Sequence, residues 1–156
     1  MSIDRSAASR RALARCCASC LAILAALPAI ASATSFFGLG VRTDLAVGGA
    51  PTGVVAADLN GDGNQDLVTV SNATNTVGVR LGSGTGAFGA LASYPTGSAP
   101  YGLAVADLNG DGRLDIVTTN SADNTVSVLL GDGSGGFGPR LNYATGGTPY
   151  AVTVPT

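Results

Sequence analysis

A nine-residue acidic loop occurs twice in this sequence, and no other feature restricts the fold so tightly. Asp58-Leu59-Asn60-Gly61-Asp62-Gly63-Asn64-Gln65-Asp66 returns 49 residues later as Asp107-Leu108-Asn109-Gly110-Asp111-Gly112-Arg113-Leu114-Asp115. The similarity runs past the loops at the same offset. Gly49-Ala50-Pro51-Thr52-Gly53 is matched by Ser98-Ala99-Pro100-Tyr101-Gly102, Leu67-Val68-Thr69-Val70 by Ile116-Val117-Thr118-Thr119, and the glycine-rich stretch 82–89 by 131–138. A third copy opens at Gly147-Thr148-Pro149-Tyr150, and Thr156 stands where its acidic loop would begin. The units are therefore about 49–97, 98–146 and, in part, 147–156.

Each unit reads as four short strands. In the second unit the spacing predicts strands over about 101–106, 115–119, 125–130 and 140–144. Ser121-Ala122-Asp123-Asn124 and the glycine-rich stretch at 131–135 supply turns between them. Short β-branched runs bounded by Gly, Asn and Asp are the usual strand signature. In the strand at 125–130 the apolar residues Val126, Val128 and Leu130 alternate with Thr125, Ser127 and Leu129. No apolar period of 3.6 residues is sustained after the leader, so helices are not expected. A four-stranded unit of this length is the size of one blade of a β-propeller, in which sheets repeat around an axis, roughly four to eight to a ring. A β-sandwich is the competing all-β fold, and the strict offset favours the propeller. One blade cannot cover both of its faces, and two blades with the start of a third form an incomplete ring. A longer parent chain, assembly of several chains, and an open structure each account for that.

The loops carry the chemistry. Calcium takes six to eight oxygen ligands at about 2.3–2.6 Å, and alternate positions of a tight loop can turn side-chain oxygens toward one centre. Asp58, Asn60, Asp62 and Asp66 fill the first, third, fifth and ninth positions, and Asn64 would offer its backbone carbonyl from the seventh. Asp107, Asn109, Asp111 and Asp115 repeat the set, with Arg113 at the seventh position. A guanidinium cannot ligate a cation, so Arg113 fits only if that position also works through its carbonyl. Gly63 sits at the sharp turn, where a left-handed backbone is cheap, and Gly61 assists. Three carboxylates brought to one point would raise one another's pKa unless a cation neutralised them. Plain Asp/Asn/Gly turns are the bland alternative. An EF-hand is disfavoured, because its twelfth-position Glu is replaced by Thr69 and Thr118 and the flanks are strand-like.

The ends and the charge narrow the function. Residues 1–33 have the form of an export signal: Arg5, Arg10, Arg11 and Arg15, then an apolar run at 21–30 broken by Pro28, then Ala31-Ser32-Ala33. The run falls short of the roughly 20 residues that span a bilayer, so no membrane span is expected after cleavage. Cys16, Cys17 and Cys20 all fall in this leader, and the chain has no histidine. Disulfides, a cysteine nucleophile, common zinc sites and His-based triads are thereby excluded from the region 34–156. That region holds 4 Arg and 9 Asp with no Lys or Glu, a formal charge of −5, which argues against a nucleic-acid partner.

With Phe88-Gly89 and Phe137-Gly138, the Ala-Pro elements at 50–51 and 99–100, and both acidic loops in view, the chain resembles the FG-GAP/VCBS repeat family, the calcium-loop propellers also found in the heads of integrin alpha subunits. The resemblance covers about 36–154. It implies blades with calcium in the loop between a blade's first two strands, and an extracellular role in adhesion or in protein or carbohydrate binding. The expected function is thus an exported calcium-binding propeller module, secreted, periplasmic or on the cell surface, with an unidentified protein or glycan ligand. A carbohydrate-binding propeller, or the non-catalytic part of a polysaccharide-degrading enzyme, is the alternative. No catalytic pair is expected, since only Asp44, Asp123 and Asp132 lie outside the loops in 34–156. Phe88 and Phe137 are expected to be buried between sheets. Tyr94, Tyr101, Tyr143 and Tyr150 are expected mainly to pack, with a binding face as the other role.

Overall fold

The computed structural model describes residues 42–154. The leader, its cysteines and Thr156 lie outside the described residues. Arg42 and Asp44 form an exposed ion pair at 2.7 Å, and Leu45–Thr156 forms a compact unit of its own.

That unit is all β, two four-stranded antiparallel sheets that do not close into a ring. The first sheet is β1 (Pro51–Ala57), β2 (Asp66–Ser71), β3 (Thr76–Arg80) and β4 (Ala92–Pro95), paired in that order. The second repeats it with β5 (Pro100–Ala106), β6 (Asp115–Asn120), β7 (Thr125–Leu129) and β8 (Leu141–Ala144). Corresponding registers shift by the repeat length: Val68 faces Val79 across β2 and β3, and Val117 faces Val128 across β6 and β7. The predicted strands therefore stand within a residue of their ends. No strand forms at 149–154. Among the described residues no helix is long and apolar enough to cross a membrane.

Alternation gives each sheet two different faces. The front of the first sheet carries Val68, Val70, Val77, Val79 and Tyr94. The back of the second carries Leu103, Val105, Ile116 and Leu129. These two faces stack and form the core, with Leu59 of the first acidic loop and Phe137 packed into it. The neighbouring sheet decides which side of β7 is buried. Ser127 and Leu129 are the buried side chains, while Val126 and Val128 are only half-buried. The valines point to the front of the second sheet, and the stack lies behind it. Ser127 is tolerated in the core because its hydroxyl bonds Asn142 Oδ1 at 2.9 Å and receives Asn120 Nδ2 at 2.8 Å.

The phenylalanines are half-buried rather than enclosed. Phe137 meets Tyr94 edge-on at 5.4 Å between ring centres. Among the tyrosines only Tyr94 packs in the core, and Tyr101, Tyr143 and Tyr150 are exposed.

Candidate metal centre

Each acidic loop bridges the first two strands of its sheet, 58–65 between β1 and β2 and 107–114 between β5 and β6. The two are built alike, bond for bond. Asp58 Oδ1 accepts the N–H of Gly61 at 2.8 Å and of Asp62 at 3.2 Å, and Oδ2 accepts that of Gly63 at 2.8 Å. Asp107 does the same with Gly110 at 2.7 Å, Asp111 at 3.2 Å and Gly112 at 2.8 Å. The Asp62 N–H also reaches Asn60 Oδ1 at 3.1 Å, and the Asp111 N–H reaches Asn109 Oδ1 at 2.9 Å. Asp62 Oδ1 then accepts the N–H of Asn64, and Asp111 Oδ1 that of Arg113. The carboxylates thus wrap the backbone into a tight coil.

The glycines allow that coil. Gly61, Gly63, Gly110 and Gly112 all have left-handed backbones, with φ of 74°, 83°, 79° and 80°. A Cβ at any of them would meet nothing within 4 Å. Conformation rather than space therefore requires glycine there.

The ninth-position carboxylates differ from the rest. Asp66 and Asp115 are fully buried. Asp66 Oδ2 accepts the N–H of Leu59 at 2.9 Å and Oδ1 that of Gly82 at 2.8 Å. Asp115 repeats this with Leu108 at 3.0 Å and Gly131 at 2.9 Å. Each fastens its loop to the glycine-rich turn after the third strand. That turn comes so close that a Cβ on Gly82 or Gly131 would lie 2.1 or 2.2 Å from the carbonyl oxygen of Gln65 or Leu114.

In each loop one carboxylate is held in its charged form by the coil around it. Asp62 is held below the ordinary aspartate value, first by the N–H of Asn64 and then by the Asn60 amide. The N–H of Gly112, then those of Gly110 and Asp111, lower Asp107 likewise. At both, hydrogen bonds to the charged form outweigh the desolvation that opposes them. Among the described residues no three His, Cys, Asp or Glu side chains are gathered around one point.

The donors nevertheless suit a hard cation. All the side-chain donors at 58, 60, 62 and 66, and at 107, 109, 111 and 115, are oxygens, as calcium requires. Asp58 Oδ1 and Asn60 Oδ1 already meet at one atom, the Asp62 nitrogen. Each oxygen of Asp66 accepts one N–H and keeps a lone pair. At the seventh position the Arg113 side chain lies along Gly133, and Asn64 lies beside Gly84.

The fold adds neighbours that the motif does not reveal. Asp58 and Asn60 of the first loop share an open cleft of about 430 Å³ with Asp111 and Arg113 of the second and with Asp132. Asp132 is held below its ordinary value by the Ser134 hydroxyl and then by the N–H of Ser134. At the other end of the blades, Asp123 and two asparagines fasten the connections. Asp123 accepts the N–H of Ser98 at 2.7 Å, Asn75 Oδ1 that of Ala99 at 2.9 Å, and Asn124 Oδ1 that of Thr148 at 2.6 Å. The recurrence of Asn75 as Asn124 at the repeat offset was the available signal.

A family model described as an FG-GAP-like repeat matches residues 58–118 and again 107–154. Each match starts on the first aspartate of an acidic loop, and together they span more than half of the chain. No curated protein matches the chain.

Proposed function

We propose that this chain, which belongs to the FG-GAP-like repeat family, is an exported, non-catalytic, calcium-binding propeller module that presents a surface for adhesion or for a protein or glycan ligand. One observation carries the metal: two loops 49 residues apart reproduce the same oxygen-donor arrangement, bond for bond. Asp58, Asn60, Asp62 and Asp66 hold the first ion with the Asn64 carbonyl. Asp107, Asn109, Asp111 and Asp115 hold the second with the Arg113 carbonyl. A bound ion neutralises the carboxylates and locks each coil, so its binding energy becomes folding energy. Calcium is preferred to magnesium because a mixed carboxylate, amide and carbonyl set offers no rigid octahedron. Export follows from the leader pattern at 1–33. The likeness to integrin alpha heads rests on the same loops and is part of this proposal.

The test is calcium titration followed by calorimetry and thermal melting. Extracellular modules bind calcium at about 10⁻⁴–10⁻³ M. At roughly 10 mM calcium each such site adds about 1.4–2.7 kcal/mol of stability. Asp58→Ala and Asp107→Ala should each remove one site of two. Arg113→Ala should leave both sites, because only its carbonyl is used. A folded protein that neither binds nor gains stability at that concentration would refute the metal.

A further inference from the structure

We propose that the chain associates head to tail with a second copy of itself, the back of one copy's first sheet docking on the front of the other copy's second sheet. The interface already exists once within the chain. There the front of the first sheet is buried against the back of the second. Among the described residues no sheet covers the remaining two faces, the back of the first sheet and the front of the second, although Thr69 on the one and Ala104, Val117 and Thr119 on the other are buried. These faces carry the repeat counterparts of the residues that make the internal stack.

Exposure follows this division. Leu59 beside the stack is 4 % exposed, whereas its counterpart Leu108 is 43 % exposed. Tyr94 packs on Phe137 while its counterpart Tyr143 is 54 % exposed. On the back of the first sheet Val54 is 65 % exposed, though its counterpart Leu103 is packed against the core. Around Val54 lies an open cleft of about 410 Å³, which also takes in Val47, Pro51 and Leu67. The place equivalent to Leu67 on the second sheet is Ile116, which the first sheet covers completely.

Individual contacts carry over. Within the chain, Leu81 lies against Gly135. The counterparts are Leu130 on the front side of the second sheet and Gly86 behind the first, and a Cβ at Gly86 would meet nothing. Tyr143 would likewise meet Phe88 of the second copy as Tyr94 meets Phe137. Arg80 stands at the place of Leu129, but gives its guanidinium protons to the carbonyls of Ala46 and Gly89. It therefore offers its aliphatic stem.

Short segments partly cover both open faces, and they are also interchangeable. The Val47 carbonyl accepts the Thr69 hydroxyl on the back of the first sheet, and residues 150–151 lie over Gly102 on the front of the second. In the internal stack the corresponding places belong to 96 and 101–102. A docked copy would bring 145 in place of 47 and 52–53 in place of 150–151. The caps are thus exchanged like for like, and the net gain comes from burying the remaining strand faces. Such an interface is not self-complementary, so it extends until a ring closes.

The purified chain, with calcium present, is followed by sedimentation and light scattering from micromolar to near-millimolar concentration. Its mass should rise to a fixed small multiple of the single chain. Val54→Asp spoils one face and Tyr143→Asp the other, so each variant alone should associate at least tenfold more weakly. Mixed, they retain one good face each and should form a 1:1 pair and nothing larger. Both side chains are exposed, so the variants should keep the circular dichroism of the parent, and Leu141→Asp is the second choice on the front face. A parent chain that stays monomeric throughout overturns the proposal, as does either variant associating like the parent or a mixture that remains monomeric. None of these readings depends on whether the loops take calcium.

Discussion

The buried carboxylate of Asp115 holds the N–H of Gly131 at 2.9 Å, 16 residues further along the chain, while its other oxygen holds Leu108 at 3.0 Å. Asp66 does the same with Gly82 and Leu59. These aspartates fasten the blade whether or not an ion is bound. Asp115→Ala would leave two N–H donors without their acceptor, one of them at a turn pressed against the Leu114 carbonyl. Hydrogen bonds to a charged group are worth about 1.5–3 kcal/mol each, so a loss of about 3 kcal/mol or more is expected in urea unfolding. The loss should persist with a chelator present. A loss seen only in calcium would make Asp115 a ligand and nothing more.

The blade architecture was legible because the repeat offset and the strand pattern agree. Pro51 and Pro100, the acidic loops and the Gly-Phe turns all fall at one spacing, and the β-branched runs between them have strand lengths. The direction in which each face looks was not legible. Val126-Ser127-Val128-Leu129 alternates in a way that suits either face, and only the neighbouring sheet decides that Ser127 and Leu129 go inside. Similarly, the motif supplies the loop oxygens but not their partners. The N–H groups that lower Asp62 and Asp107 come from the coil of the backbone, which the sequence implies only through its glycines. The links from Asn75 to Ala99 and from Asn124 to Thr148 cross between elements and appear only after folding.

Ala99 has a left-handed backbone, with φ of 53°, and so does its counterpart Ala50 at 45°. A residue with a Cβ pays about 1–2 kcal/mol there relative to glycine. The conformation persists because both sides of Ala99 are fastened: its N–H to Asn75 Oδ1 at 2.9 Å, its carbonyl to the N–H of Ser121 at 3.0 Å. Ala99→Gly should relieve the strain, offset by about 0.4–1 kcal/mol of extra freedom in the unfolded chain. A net rise in stability of roughly 0.5–1 kcal/mol is expected in thermal melts. A fall would mean that the methyl group packs favourably.

Asp123 lies below its ordinary value of 3.8, chiefly because the N–H of Ser98 bonds its charged form, with the Ser98 side chain and Arg140 adding to this. A carboxylate depressed by folding stabilises the folded state above its unfolded pKa, and that contribution fades as pH falls through the folded value. Stability should therefore drop below about pH 3.8. Asp62, Asp107 and Asp132 shift in the same direction and contribute to the same fall. Asp123→Asn should lower stability at neutral pH and make the acid fall shallower, as read from melting temperatures across pH 2–7. Parallel curves for the variant and the parent would show that the Ser98 bond does not depend on charge.

Phe137 and Phe88 occupy the same place in successive repeats, yet among the described residues only Phe137 has an aromatic partner, Tyr94 at 5.4 Å. Both are half-buried, and both close the glycine-rich turn through a bridge, Gly131 with Phe137 and Gly82 with Phe88. The shared part of their contribution should be similar. An edge-on pair adds about 0.5–1.5 kcal/mol beyond area burial. Phe137→Ala should therefore cost about that much more than Phe88→Ala when unfolding is measured at high dilution. Tyr94→Ala should remove the difference, since it takes away the partner ring. If copies stack head to tail, Phe88 gains Tyr143 of the neighbouring copy, and the gap between the two variants should narrow as protein concentration rises. A gap that is absent at high dilution would place the Tyr94 contact outside the energetics of folding.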